Sequence, residues 1–439
     1  MDLARDRIVY KLAAAALTFV AVLAAIRAFD SASAPEIGGD GEALRQGPAA
    51  TASTEEQIAR LQEQVREAPA DPQGFADLGA AYLKRQTETE DAALYPKARG
   101  AFDAALRLDP NDFSATAGLA ELELSRHHFR RGLALSRRAR RTNPSIARTD
   151  GQITDAQIEL GRYPAAERTL QRYINRRPEL ASYARISYFR ELHGDIPGAL
   201  AAMQLAASAA GETSASSSFA QTLLGTLQFD RGAYADAERI YRGVLSRDPS
   251  YPDALLGLAA IEAARGNLEA ALAHQRAVLE AVPAPDHAIL LGETEEVAGN
   301  LEAAEDAYAA AAAAFDRLDA YGVRIATELA IFQADHGNPA RAVDAGHRAW
   351  LATPSVRAAD AYSWALSAAG RDRASLRFSH LAMRLGSLDP AFLYHAGIVS
   401  LRAGKRRRAE ALLSRLLERS PRFSPLHAPR ARAALDRLD

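Results

Sequence analysis

Residues 147–178 read ARTDGQITDAQIELGRYPAAERTLQRYINRRP, and this stretch decides the fold. Gly161 lies where a first helix must stop, because glycine adopts the left-handed backbone that gives other residues a Cβ clash. Pro178 stops a second helix, since it lacks an N–H and disfavours α conformation in the residue before it. The stretch therefore predicts two helices joined by a tight turn.

The same arrangement recurs along most of the chain at intervals of 33 to 38 residues. Small or apolar residues recur at Ala105, Ala139, Tyr173, Ala206, Val244, Val278, Ala311, Ala349, Ala382 and Leu416. Glycines keep step at Gly161, Gly194, Gly232, Gly266, Gly299, Gly337, Gly370 and Gly404, and prolines at Pro110, Pro144, Pro178, Pro249, Pro283, Pro354 and Pro421. A period near 34 is typical of stacked helix-turn-helix units, in which the small residues let two helices approach closely.

Composition supports an all-α protein. The 439 residues are 48% hydrophobic, 25% charged and only 7% aromatic, so helix formers dominate. A formal net charge of -2 gives no global field that would attract nucleic acid, and we expect no nucleic-acid partner. The absence of Cys from the sequence excludes disulfides, thiolate metal sites and a cysteine nucleophile.

The repeated unit resembles the tetratricopeptide repeat (TPR) family. In residues 147–178 the matching positions are Ile153, Gly161, Tyr163, Ala166, Leu170 and Pro178. A second clear unit, residues 218–249, matches through Leu224, Gly225, Gly232, Tyr234, Ala237 and Tyr241. The resemblance implies a right-handed α-solenoid of about ten repeats that binds other proteins, and it covers about four-fifths of the chain.

The pattern also predicts boundaries and irregularities. We expect a linker at residues 31–53, an N-terminal capping helix at 54–70 that starts with a Thr54–Gln57 capping box, the solenoid at 71–421 and a C-terminal capping helix at 422–439. The first unit carries an insertion around residues 87–94. The units that end near Gly211 and Ala314 lack the final proline and run longer, so one or two helices there are expected to be extended.

Residues 1–30 contain the one segment with membrane character. Leu12 to Ile26 is apolar or small apart from one Thr, and residues 8–27 could span a membrane if Lys11 reaches the interface. The alternative is a signal peptide cleaved after Ala32-Ser33-Ala34, and a soluble helix is a third possibility. Basic residues before the run favour a cytoplasmic N-terminus and a translocated repeat region, as in a bacterial-type plasma membrane protein.

The sequence contains no motif for catalysis, a cofactor or a metal, so we expect a non-enzymatic protein. It has no phosphate-binding or dinucleotide glycine loop, no nucleophile elbow and no His pair at metal-ligand spacing. The adjacent His127 and His128 are expected to be solvent exposed.

In the TPR family the first helix of each unit lines the concave groove, so its inward residues are candidate partner contacts. Counted from the turn glycines, these are Glu121, Asp155, Glu159, Arg185, Tyr188, Phe229, Glu293, Glu296, Trp364, Tyr394 and His395. Trp364 and Tyr394 would contribute most to binding if exposed, whereas between units they would be ordinary core. The groove lacks the Asn expected of a clamp for C-terminal carboxylates, which disfavours that mode.

The second unit carries a basic patch. Its members are Arg126, Arg130, Arg131, Arg137, Arg138, Arg140 and Arg141. The simpler interpretation is a solvated convex face, and the functional one is contact with anionic lipid or an acidic partner. The sequence as a whole predicts a membrane-tethered scaffold that binds a protein or peptide in its groove. The alternative is a secreted or periplasmic carrier of polysaccharide or exported polypeptide.

Overall fold

The computed structural model describes residues 53–210 and 215–438, and this part of the chain is helical without strands. Its 22 α-helices are α1 Thr54–Glu67, α2 Pro72–Thr89, α3 Leu94–Leu108, α4 Phe113–Ser125, α5 Phe129–Thr142, α6 Arg148–Glu159, α7 Tyr163–Arg176, α8 Leu180–Leu192, α9 Ile196–Ala209, α10 Ala215–Asp230, α11 Tyr234–Leu245, α12 Pro252–Arg265, α13 Leu268–Ala281, α14 Pro285–Ala298, α15 Leu301–Ala320, α16 Ala326–Asp335, α17 Pro339–Ala352, α18 Val356–Ala368, α19 Asp372–Ala382, α20 Pro390–Arg402, α21 Arg406–Arg419 and α22 His427–Asp436. A short 3₁₀ helix, Met383–Leu385, follows α19.

Ten antiparallel helix pairs run from α2–α3 to α20–α21, with α1 before them and α22 after them. Each helix packs on its pair partner, and the second helix of most pairs also packs on the first helix of the next pair. This arrangement confirms the predicted all-α solenoid of about ten TPR-like units. The predicted membrane segment and most of the predicted linker lie outside the described residues. Within the described ranges, no helix has the length and apolar character needed to span a bilayer.

The recurring small residues occupy the tightest contacts of the solenoid. All ten members of the series that begins at Ala105 and ends at Leu416 are at most 2% exposed. Nine of them lie near the end of the second helix of a pair, and Ala311 lies in the middle of the longer α15. At such a position a larger side chain would overpack the interface between the helices. The periodicity of the small residues therefore reflects helix packing.

The recurring glycines form the turn inside each pair. Seven of the eight take positive φ, between 67° and 88°, and Gly337 does not. His127 takes their place in the second pair, where it adopts φ 58°. The recurring prolines follow the second helix of a pair, usually two residues after its end. Both interpretations of the spacing are confirmed apart from Gly337.

One local prediction needs correction and a second is confirmed. The capping box of α1 is formed by Ser53, whose hydroxyl accepts from the Glu56 amide at 3.2 Å, and not by Thr54. The Glu56 carboxylate accepts from the Ser53 amide at 2.7 Å in return. Of the two units expected to contain longer helices, one does: α15 has 20 residues, whereas α9 has 14.

Segments about 190 residues apart touch, because the solenoid winds back onto itself. The Arg126 guanidinium donates to the Tyr321 carbonyl oxygen at 2.9 Å across 195 residues. The Val356 amide donates to the Tyr163 hydroxyl at 2.8 Å, and the Arg422 amide donates to the Tyr234 hydroxyl at 2.9 Å. We call this contact, between the loops of pairs two to five and the segments from residue 321 to 422, the turn seam. It corresponds to roughly five and a half units of about 34 residues.

Three turn glycines serve the turn seam as well as their own turns. A Cβ on Gly161, Gly194 or Gly232 would lie far inside van der Waals contact of a backbone carbonyl oxygen across the turn seam. The oxygens belong to Pro354, Gly386 and Arg419 respectively. Four of the five later glycines of the series, Gly370 among them, have open space at the same point. Substitutions in the two sets of glycines therefore distinguish the strain within the turn from the steric clash at the turn seam.

Gly194→Ala is expected to lower the free energy of unfolding by about 2 to 4 kcal/mol, since it adds left-handed strain and a backbone clash. Gly370→Ala has the same strain at φ 70° without the clash, and we expect a loss of about 1 kcal/mol. Urea unfolding followed by circular dichroism measures both. Equal losses would mean that the turn seam is not formed in solution.

Candidate partner-binding site

Of the eleven residues predicted to bind a partner, Glu296 is partly buried and the other ten are buried, at 0 to 9% exposure. They are Glu121, Asp155, Glu159, Arg185, Tyr188, Phe229, Glu293, Trp364, Tyr394 and His395. The first helices of the pairs lie at the centre of the wound solenoid, and α6 and α20 bury nearly every residue. These side chains can reach a partner only if the interior opens, so their role in recognition stays a prediction. Trp364 and Tyr394 were expected to contribute most to binding if they were exposed, but both are buried.

Two of the ten form a buried ion pair. Arg185 donates from Nε and Nη2 to the two carboxylate oxygens of Asp155, both at 2.9 Å, and from Nη1 to the Ala181 carbonyl oxygen at 3.1 Å. Both side chains are 0% exposed. Gly151 leaves room for the guanidinium, which lies 3.2 Å from the position of a Cβ on that glycine. This pair joins α6 to α8.

Glu159 and Tyr188 belong to a second group, which crosses the turn seam. The Arg357 guanidinium lies 4.0 Å from a carboxylate oxygen of Glu159 and 3.8 Å from one of Glu328. Burial, together with the negative charge of Glu159, holds the pKa of Tyr188 well above its usual value. Glu121 has a separate partner, since its carboxylate accepts from the Gln152 amide at 3.0 Å. Phe229 instead packs against Tyr234, with ring centroids 5.2 Å apart.

The structure brings Trp364, Tyr394 and His395 together. The Trp364 ring stacks on His395 at 4.3 Å and lies 5.9 Å from Tyr394. Its indole N–H donates to Asp335 Oδ1 at 2.7 Å, and His395 Nδ1 lies 2.7 Å from Asp360 Oδ2. We call these five residues the interior cluster. It contains two carboxylates that were not predicted as site residues.

Carboxylates in and beside the interior cluster are strongly affected by burial. Burial raises the pKa of Asp335 well above its usual value, although the bond from Trp364 opposes the rise. Burial and the charge of Asp335 raise the pKa of Glu293, whose Oε1 lies 3.4 Å from His336 Nε2. Such groups could exchange protons with a substrate. In this conformation, however, the five residues of the interior cluster are enclosed, at 1 to 3% exposure.

The buried polar pairs share a spacing that could have identified them. Asp360 and His395 are 35 residues apart, Glu121 and Gln152 are 31 apart, Asp155 and Arg185 are 30 apart, and Asp335 and Trp364 are 29 apart. Each pair therefore links first helices of adjacent units. Polar residues one period apart on otherwise apolar helices were a usable signal for these contacts. No such signal exists for Arg357 and Glu159, which meet across the turn seam.

Most of the basic patch has partners within the chain. Arg130 donates to the Leu351 carbonyl oxygen at 3.3 Å across the turn seam, and Arg138 donates to that of Pro110. Arg140 pairs with Asp150 at 3.0 Å and Arg131 with Glu123 at 3.5 Å. Arg137 and Arg141 are exposed. A purely solvated face is therefore not what the structure shows, and contact with lipid or an acidic partner stays a prediction.

The His127–His128 pair was expected to be exposed, and the structure corrects this. His127 Nδ1 lies 2.9 Å from the Arg324 carbonyl oxygen across the turn seam. His128 Nδ1 lies 2.7 Å from Glu123 Oε2. Among the residues that the structure describes, no group of three His, Asp or Glu side chains could hold a metal ion.

Glu123 is fully buried among cations, which makes it a source of pH-dependent stability. Burial alone would raise its pKa, but hydrogen bonds from His128 and Arg99 and the charges of Arg99 and Arg131 lower it to about 2, from a usual 4.5. Because the folded pKa is below the unfolded value, protonation favours the unfolded chain. The stabilisation is complete above about pH 5 and is lost as the pH falls toward 2.

We expect Glu123→Gln to remove about 3 kcal/mol of stability at pH 7 and almost none at pH 2. Urea unfolding from pH 2 to pH 7 measures the difference, with the exposed Glu302→Gln as a matched control. A constant difference between wild type and Glu123→Gln over this range would refute the assignment.

A cavity of about 260 Å³ lies at the turn seam. It lies between the turn after α4 and the end of α6 on one side, and segments from α15 to α18 on the other. Glu159, Glu328 and Arg357 are its buried charged residues. Its wall includes the apolar residues Phe129, Ile325, Leu329, Ala349 and Ala352, and its exposed charges are Asp316, Asp319, Arg324 and Arg348. We call it the seam cavity.

Part of the chain matches a known protein family. Residues 228–294 match the tetratricopeptide repeat family. No curated protein matches the sequence. Similar solved structures include the human IFIT1 dimer with m7Gppp-AAAA, 14% identical with a TM-score of 0.47 over 76% of this chain and 77% of that chain.

Two further solved structures are similar at lower TM-scores. The APC/C hetero-tetramer Cut9–Hcn1 is 12% identical, with a TM-score of 0.33 over 88% of this chain and 93% of that chain. A tetratricopeptide repeat protein from Parabacteroides merdae is 16% identical, with a TM-score of 0.36 over 59% of this chain and 98% of that chain. The match over residues 228–294, which reaches from the end of α10 into α14, supports the predicted tetratricopeptide repeat family for this helical array.

Proposed function

We propose that the protein is a non-enzymatic scaffold that binds another protein or a peptide. The observation that carries the proposal is the repetition of the packing positions in ten successive helix pairs, which builds a long surface from one simple unit. The tetratricopeptide repeat match supports it. Binding in the concave groove belongs to the proposal and requires the buried first helices to become accessible.

Other candidate contacts lie on the outer surface and do not require the interior to open. Leu301 and Leu351 are 63% and 61% exposed, and Leu205 is 51% exposed. Large exposed apolar side chains indicate an interaction site more strongly when they adjoin a cavity or a polar rim. Leu351 directly precedes Ala352, which lines the seam cavity.

In the proposal, residues 8–27 tether the protein to a bacterial-type plasma membrane and the repeats lie outside the cytoplasm. The apolar run from Leu12 and the basic residues before it support this topology. The alternative is a secreted or periplasmic carrier that binds polysaccharide or exported polypeptide, which the small residues at Ala32-Ser33-Ala34 support. The N-terminal peptide of the mature protein, read by mass spectrometry, separates the two.

Capture from native cells tests the scaffold itself. The full chain carrying a C-terminal affinity tag is cross-linked in cells, purified in detergent and compared with Leu205→Ser, Leu301→Ser and Leu351→Ser. We expect a reproducible protein partner, reduced in one of the three variants while circular dichroism is unchanged. Absence of any enriched protein from the wild-type sample would contradict the proposal.

A further inference from the structure

The seam cavity contains a carboxylate that the fold leaves incompletely satisfied. Glu328 is 9% exposed, and its Oε2 has no hydrogen-bond partner among the described residues. Its nearest cation is the Arg357 guanidinium, at 3.8 Å, which is longer than a hydrogen bond. Arg357 is also shared with Glu159 at 4.0 Å. A buried carboxylate oxygen without a donor costs free energy that a ligand cation would recover.

Charges around the seam cavity favour a positively charged ligand. Four carboxylates line it, and the exposed Asp316 and Asp319 form no ion pair with a described residue. Of the three guanidinium groups, that of Arg348 is held by Asp344 at 3.0 Å. Four carboxylates then face two guanidinium groups, so the net charge of the cavity lining is negative.

The shape and apolar walls add a second requirement. Phe129, Ile325 and Leu329 line the same cavity as the exposed aspartates and the buried Glu328. A simple inorganic cation would gain nothing from these walls. An arginine or lysine side chain has an alkyl stem for the walls and a charged end for the carboxylate. A volume of about 260 Å³ accommodates such a side chain.

We propose that the seam cavity binds the cationic side chain of an arginine or lysine in a partner polypeptide. The inference rests on the proposed scaffold function and specifies the chemistry of one contact. Glu328 accepts from the guanidinium or ammonium group, Asp316 and Asp319 attract it to the mouth, and the alkyl stem packs on Phe129. Because the contact lies at the turn seam, it joins both turns of the solenoid.

The test uses the full chain and three capped peptides, acetyl-AARAA-amide, its lysine counterpart and its citrulline counterpart, which is a neutral isostere of arginine. Binding is measured by isothermal titration calorimetry. We expect saturable binding of the arginine or the lysine peptide, with a Kd at least about tenfold lower than that of the citrulline peptide.

Two variants locate the contact. Glu328→Gln keeps the shape and should raise the Kd at least about tenfold. Ala352→Phe fills the cavity from the wall and should have a comparable effect. The exposed Glu302→Gln, outside the cavity, should leave the Kd unchanged. Thermal unfolding by circular dichroism checks that every variant is folded.

The outcomes separate this inference from the scaffold proposal. No saturable binding of either cationic peptide, equal binding of the citrulline peptide, or an unchanged Kd in both Glu328→Gln and Ala352→Phe would overturn the seam-cavity assignment. None of these results affects capture of a partner from cells, on which the scaffold proposal depends.

Discussion

Arg185→Ala is expected to lower the free energy of unfolding by about 3 to 5 kcal/mol. The substitution removes both hydrogen bonds to Asp155 and leaves that carboxylate at 0% exposure without its guanidinium. A buried charge that loses its partner costs far more than the ion pair contributes, because water cannot replace the lost donor. Urea unfolding of the full chain, followed by circular dichroism, measures the loss.

Matched variants show whether charge or packing causes the loss. Arg185→Met combined with Asp155→Leu replaces the pair by apolar side chains and should recover most of the stability. Arg239→Ala breaks an exposed pair, with Asp236 at 2.8 Å, and should change the stability by less than about 1 kcal/mol. If Arg185→Ala cost no more than Arg239→Ala, the interior would be hydrated in solution.

The packing of the solenoid was predictable because each unit repeats the same physical requirement. Positions such as Ala105 and Ala139 recur since two helices meet there in every pair, and the structure buries both completely. The exception at Gly337 has a local explanation, because the Asn338 amide donates to the side-chain oxygen of Gln333 at 3.0 Å and the Asn338 side chain caps α17. The contacts of Asn338 therefore determine the conformation of the turn in that unit.

The interior could be predicted only in part. The family pattern indicates which side chains point inward, and Trp364 and His395 do so in the structure. Whether an inward-pointing side chain is exposed depends on how tightly the solenoid winds. The sequence of a single unit does not specify this winding. Contacts such as Tyr163 with Val356 join residues 193 apart, so they depend on the small rotation from each unit to the next. That rotation accumulates over several units and is not encoded by any one motif.

The turn seam also changes what the solenoid should do when it unfolds. In an open repeat array each unit contacts only its neighbours, and stability is a sum of local terms. Here Gly194 and Gly386 come into contact from different turns. A substitution in the fourth unit should therefore destabilise the ninth as well, which joins the two halves into one cooperative structure.

Trp364→Ala is expected to lower the free energy of unfolding by about 3 to 5 kcal/mol. The indole is 1% exposed, and its removal leaves a cavity against His395 and Tyr394. It also removes the donor of Asp335 Oδ1, whose companion Oδ2 already has no hydrogen-bond partner among the described residues. Chemical unfolding of the full chain measures the change.

The other tryptophan provides the control and links this prediction to function. Trp350 is only partly buried beside Phe378, so Trp350→Ala should cost less. With Trp350→Phe, the emission of the chain comes from Trp364 alone, which should resist quenching by acrylamide. If it is quenched as readily as a free indole, the interior is open and Trp364 is available to a partner. If it is protected, loss of partner binding in Trp364→Ala would reflect lost folding, and recognition must be sought on exposed surfaces such as the seam cavity.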